Sequence, residues 1–190
     1  MNAIYNYIIL CTNRYNNSKK IEDKELVLNT EITERDYHFV NRIGKILSLP
    51  LFIDTPAKIG DEVILHHNVF RRWYDIRGKE KNSSAFINEN EYFVSPEEIF
   101  AYKNNGDWKC FNKFCFVKPL KSNSKWSVLK EKKLLGKLVY SNNYLESLGV
   151  SCGDIVGFKP NSEYEFNIEN KKLYRILSNY ITHVEKAKSN

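Results

Sequence analysis

Apolar residues in this chain come in short runs rather than in helical stripes. Tyr7 to Leu10, Gly44 to Leu47, Glu62 to Leu65, Phe114 to Val117, Gly136 to Tyr140 and Ile155 to Phe158 are β-branched or aromatic stretches with the length and composition of strands. Between them stand residues that tolerate tight turns or left-handed backbone: Arg77-Gly78, Asn88 to Asn90, Pro160-Asn161-Ser162 and Glu169-Asn170-Lys171. The pattern predicts short antiparallel strands joined by hairpins. Helical signals are confined to two places. Ser95 to Ile99 reads as one turn with an N-cap serine, a proline in first position and acidic residues behind it, and Asn142 to Leu148 is a second candidate.

The same landmarks occur twice. Gly44-Lys45-Ile46-Leu47, Ile59 to Ile64 around Gly60-Asp61, and Glu91-Tyr92-Phe93-Val94 before Ile99 make the first set. Gly136-Lys137-Leu138-Val139, Cys152 to Val156 around Gly153-Asp154, and Leu173-Tyr174-Arg175-Ile176 before Ile181 make the second. The two leading intervals are 16 and 17 positions, and tyrosine to closing isoleucine is 7 in both. Only the middle interval differs, 32 against 21, which one insertion of about 11 residues in the first set explains. The spacing predicts a duplication. The units are residues 1–105, with the insertion, and 109–187, parted at the polar segment Asn104 to Lys109 around Gly106.

The second set also carries a resemblance. Phe116-Val117-Lys118-Pro119-Leu120, Gly136 to Val139, Val150 to Phe158, Phe166 to Ile176 and Ile181 to Glu185 together resemble the GroES-like co-chaperonin family over most of residues 111–186. The first set is similar through Ile59 to Leu65 and Tyr92 to Phe100. The resemblance implies an all-β chain of two tandem small β-barrel domains with hairpin extensions. It implies a homo-oligomer that caps a chaperonin ring, an ATP-dependent partner, and assists protein folding. In the family, a loop after the first strand carries a short aliphatic triplet that docks in an apolar groove of that ring. Leu26-Val27-Leu28 stands at this place, inside a charged stretch from Lys19 to Glu31, and Trp126-Ser127-Val128-Leu129 stands there in the second unit. The partner-binding residues implied are therefore Leu26, Val27, Leu28, Trp126, Val128 and Leu129. The glycines that precede the family's triplet are missing from both units. The other reading of Leu26 to Leu28 is one more half-buried strand.

Charge and chemistry narrow the picture further. The net charge of +6, from 29 basic against 23 acidic residues, is spread along the chain and does not by itself point to nucleic acid. The exception is His66 to Lys79, where Arg71, Arg72 and Arg77 interleave with Phe70, Trp73 and Tyr74. Such a stretch forms either a stacking surface for single strands or an extended hairpin with its basic residues outward. Cys11, Cys110, Cys115 and Cys152 have no CxxC spacing and read as free thiols of a reducing compartment. The apolar run Tyr5 to Cys11 is too short for a leader or a membrane span, so the expected location is the cytoplasm, or a virion if the source is viral.

His66 and His67, as neighbours on a strand, should face opposite ways, and Cys110 and Cys115 differ in strand parity. No metal and no cofactor is expected from these spacings. No GxSxG, HExxH or phosphate-loop motif is present, and the chain reads as a non-enzyme. The alternatives to a co-chaperonin are a structural or assembly protein, for example of a virion, that reuses the fold, and a nucleic-acid-binding module.

Overall fold

The computed structural model describes residues 3–15, 18–21, 24–27, 39–111, 113–122 and 131–187. The chain falls into two compact units, Met1–Gly106 and Asp107–Asn190. Both are built from strands, with a single five-residue α-helix among the described residues, so the protein is all-β.

The first unit contains β1 (Tyr7–Leu10), β2 (Ser18–Ile21), β3 (Lys24–Val27), β4 (Ile43–Ser48), β5 (Glu62–Leu65), β6 (Arg72–Tyr74), β7 (Glu80–Asn82), β8 (Glu91–Val94) and β9 (Ile99–Asn104). The strands of the main sheet that belong to this unit run β9-β5-β4-β1-β8, every pair antiparallel, while β2–β3 and β6–β7 are separate hairpins. The second unit contains β10 (Asp107–Cys110), β11 (Phe114–Lys121), β12 (Glu131–Tyr140), α1 (Asn143–Ser147), β13 (Ile155–Phe158), β14 (Tyr164–Ile168), β15 (Lys171–Leu177) and β16 (Ile181–Glu185). Its sheet, read from one edge, is β16-β13-β12-β11-β15-β14. The first five of these follow the wiring of β9-β5-β4-β1-β8 strand for strand. Asp107 to Lys109, polar in sequence, belongs to β10, which buries Trp108 and Cys110.

The likeness extends to the irregularities. Register slips between Ile8 and Ile9 in β1 and between Phe116 and Val117 in β11, and again between Ile64 and Leu65 in β5 and between Gly157 and Phe158 in β13. Gly60 and Gly153, at φ +94° and +103°, turn the chain in a conformation that side-chain-bearing residues rarely adopt. Each then closes the same pair of bonds. Gly60 N–H donates to Ile46 and Ile46 N–H to Asp61, both at 2.9 Å; Gly153 N–H donates to Leu138 and Leu138 N–H to Asp154, both at 2.8 Å.

Closed barrels were the expectation, yet neither sheet closes on itself through hydrogen bonds among the described residues. The reason lies at β8 and β15. Glu169 and Asn170, at φ +50° and +60°, form the two-residue turn that folds β14 back onto the free side of β15. In the first unit Phe86 bridges to Tyr92, and Phe93 N–H donates to Ala85 at 2.7 Å, occupying the same side of β8.

Cores follow from these sheets. Cys115, Val117, Leu138, Leu145, Val150, Val156, Phe158 and Ile176 pack together in the second unit. Phe116 meets Phe166 and Tyr140 edge-on at 5.2 and 5.8 Å between ring centres. The first unit buries Tyr7, Ile9, Ile46, Val63, Leu65, Phe70, Tyr92 and Ile99. Both helical signals are realised. Ser95 caps the 3-10 turn Pro96–Glu98 in a reciprocal box with Glu98, and Asn142 caps α1 by accepting from Leu145 N–H at 2.9 Å. Buried Asn142 also donates to Phe114 O and Ser178 Oγ, each at 2.7 Å, so its polar side chain is satisfied in the core. Cys11, Cys110 and Cys115 are buried free thiols, and burial pushes Cys115 up to about 12.

Buried Asp154 ties the Gly-Asp turn to the end of β16. It accepts from Ser151 N–H and Ala187 N–H, both at 3.0 Å, and from Lys186 Nζ at 2.9 Å. The two backbone donors first, then Lys186, hold its carboxyl at about 2, below the ordinary 3.8. A depressed carboxyl contributes stability above its unfolded value and loses it as pH falls through the folded value. Wild-type stability should therefore drop as pH is lowered from about 4 to about 2. Asp154→Asn should flatten the denaturation midpoint across that window, and an unchanged profile would contradict the assignment. No helix among the described residues is long and apolar enough to cross a membrane.

Candidate partner-binding surface

Of the six residues implied as partner contacts, Leu28, Trp126, Val128 and Leu129 lie outside the described residues. The backbones of Leu26 and Val27 lie on β3, which pairs with β2 in a sheet of its own, Ser18 opposite Val27 and Lys19 opposite Leu26. Leu26 and Val27 thus lie on a strand set outside the main sheet.

The extension is clamped where it leaves the unit. Tyr15 bridges to Val40, Asn41 N–H donates to Arg14 O at 2.8 Å, and Asn41 Nδ2 donates to Asn13 O at 2.8 Å. Tyr15 Oη donates to Arg72 O and accepts from Arg72 N–H, both at 3.0 Å. The insertion is therefore bonded to the neck of the β2–β3 extension. Sequence reasoning placed the insertion by length alone, and no local pattern announces a partner 57 residues away.

Arg14 is the centre of this clamp. Its Nε donates to Phe70 O at 3.0 Å and its Nη2 to Arg71 O at 3.3 Å, while Nη1 stands 3.8 Å from Glu80. The guanidinium also lies over the rings of Phe86 and Tyr92, at 5.5 and 5.9 Å. Only 13% of the side chain is exposed, so these bonds operate away from full solvent screening. A cleft of about 470 Å³ opens beside it, lined by Asn13, Tyr15, Arg72, Glu80 and Glu89 among others. Arg14→Ala removes the donors to two carbonyls and one partner of Glu80, and should destabilise the first unit by about 2–4 kcal/mol. Denaturant titration with proteolysis of the insertion checks this. Arg14→Lys should fail to restore stability, since one ammonium cannot reproduce the fork.

The insertion itself is the outward hairpin β6–β7. Val69 and Phe70 enter the core, Phe70 edge-on to Tyr92 at 4.8 Å, and Trp73, Tyr74 and Ile76 are exposed. His66 and His67 correct the expectation made for them. They follow β5 rather than lie on it: His66 N–H donates to Glu98 O at 2.9 Å, Val69 N–H turns back to His66 O at 3.1 Å, and the two rings sit 4.4 Å apart. Strand alternation ends at Leu65, so the rings are free to meet. Among the described residues no cluster of three or more His, Cys, Asp or Glu is arranged to hold a metal ion.

Fold and surface together define an all-β protein of two similarly wired units, the first bearing a clamped hairpin extension. No protein-family model matches the chain, and no curated protein matches it.

Proposed function

We propose that the protein is a tandem GroES-like co-chaperonin that engages a chaperonin ring through the extension bearing Leu26 and Val27. The observation that carries this reading is the placement of that aliphatic segment. It leaves the first unit between β1 and β4, on a hairpin outside the main sheet. The shared strand order of the two units and the motifs resembling that family support it, the family fold being part of the proposal. The equivalent stretch of the second unit, Trp126 with Val128 and Leu129, is the proposed second contact.

A short aliphatic segment buries little surface against the loss of translational and rotational freedom on association, so a single docked copy binds weakly. Several copies on one oligomer convert weak contacts into tight capture through effective concentration. The reading therefore requires a homo-oligomer, closed by symmetry. An exposed apolar patch supports assembly: Tyr5 stacks on Phe52 at 5.7 Å beside Ile4 and Leu51, all four more than half exposed.

The test is the mass of the purified protein alone and mixed with a chaperonin ring and nucleotide, by size exclusion with light scattering. A nucleotide-dependent shift onto the ring is the expected result. A stable oligomer that ignores the ring would instead favour a structural or assembly protein.

A further inference from the structure

We infer that the tip of the β6–β7 hairpin is a second docking surface for the protein partner of the β2–β3 extension, one that fits an acidic surface with an apolar depression. The inference rests on the reading proposed above, and three observations carry it.

The first is exposure. Ile76 at the apex is fully exposed, and Trp73 and Tyr74 are 45% and 50% exposed. Yet the turn that presents them is firmly built. Asp75 Oδ1 accepts from Arg77 N–H and Lys79 N–H, both at 2.9 Å, Asp75 N–H donates to Lys79 O at 3.0 Å, and Gly78 N–H donates to Asp75 O at 2.8 Å. A preorganised tip loses little freedom on docking.

The second is charge. Arg71, Arg72, Arg77, Lys79 and Lys81 stand against Asp75 and Glu80 alone. Both acids are engaged, Asp75 by the turn and by Lys81 at 3.9 Å, Glu80 by Arg14 at 3.8 Å and Arg72 at 3.5 Å. The field at the tip is therefore positive and complements an acidic surface.

The third is continuity. The hairpin is bonded at its base to Arg14 and Tyr15, the neck of the extension. Both projections thus leave from one clamp. In the second unit only residues 159–163 separate β13 from β14, with no such hairpin.

The chemistry favours protein over single-stranded nucleic acid. Trp73 and Tyr74 are consecutive on β6 and face opposite ways, Trp73 into a cleft with Arg71 and Ser83, Tyr74 with its hydroxyl 3.5 Å from Glu80. Stacked bases need one continuous aromatic face, and an aliphatic apex gives them nothing.

The experiment measures binding of the full-length protein to a purified chaperonin ring with ADP. It compares wild type, the pair Trp73→Ser with Ile76→Asp, and the pair Arg77→Glu with Lys79→Glu, with thermal unfolding as the control. Each pair should weaken binding about tenfold at unchanged unfolding temperature, the second also flattening the salt dependence. Wild-type affinity in both pairs would overturn the inference and leave the β2–β3 reading standing. A wild type that never binds the ring would remove both. Tight, steeply salt-dependent binding of a labelled oligo-dT, lost with Trp73→Ser, would make the tip a nucleic-acid surface and overturn the inference.

Discussion

A Val27→Asp variant should fold and oligomerise as wild type does, yet elute apart from a chaperonin ring under conditions where wild type co-elutes. Val27 ends β3, in a two-stranded sheet distinct from the main sheet, so the substitution leaves the main sheet's pairing intact. In the proposed complex the same carboxylate would enter an apolar groove unpaired. Such burial costs several kcal/mol, and even about 2 kcal/mol per site is roughly a thirtyfold loss. On the proposed reading, capture depends on several sites acting together, so the losses compound and little complex should survive. Co-elution of the variant at wild-type stoichiometry would sink the assignment of this segment, whatever the fate of the fold.

The largest effect on stability is expected at Gly44. A Cβ there would fall inside contact distance of Ile9 Cγ2, with Leu10 O and Phe70 Cζ each 3.1 Å away. Ile9 and Phe70 are fully buried, so neither side chain can move into solvent. Gly44→Ala should cost about 3 kcal/mol, toward the upper end of overpacking penalties. That lowers the thermal midpoint of the first unit by roughly 10 °C or more. Gly136→Ala should act the same way on the second unit, with Val117 Cγ2 at 2.8 Å and Lys118 O at 3.2 Å. Midpoints within a degree or two of wild type would show that the strands separate more readily than this packing implies.

These two glycines show what sequence could reveal. Each is the first landmark of its set, and each lies where its strand, β4 or β12, packs closely against its antiparallel partner, β1 or β11. Tyr92 and Tyr174, the later landmarks, likewise occupy one register, opposite Ile9 and Val117. The six strand runs, the turn chemistry, the Ser95 cap and the existence of a helical turn at Asn142 to Leu148 are local properties, and they are legible for that reason. The clamp is not. Arg14 finds Phe70 O and Arg71 O through tertiary packing, and one arginine in a polar stretch looks like any solvated charge. The histidine pair is hidden for a related reason: strand alternation stops at Leu65, and nothing local marks where the chain turns. For the proposed contacts, sequence supplied the aliphatic segment, whereas its separation from the main sheet emerged only from strand pairing.

In the first unit Ile64 of β5 faces Ala101 of β9, large against small; in the second, Gly157 of β13 faces His183 of β16, small against large. The His183 ring occupies the space a Cβ on Gly157 would need. Two copies of one wiring pattern on a single chain invite exchange of their closing strands as they fold. Here an exchange would set Ile64 against His183 in one sheet and leave Gly157 against Ala101 in the other, one crowded and one hollow. The halves are thus keyed like two locks cut from one blank, and the keying disfavours exchange of the closing strands.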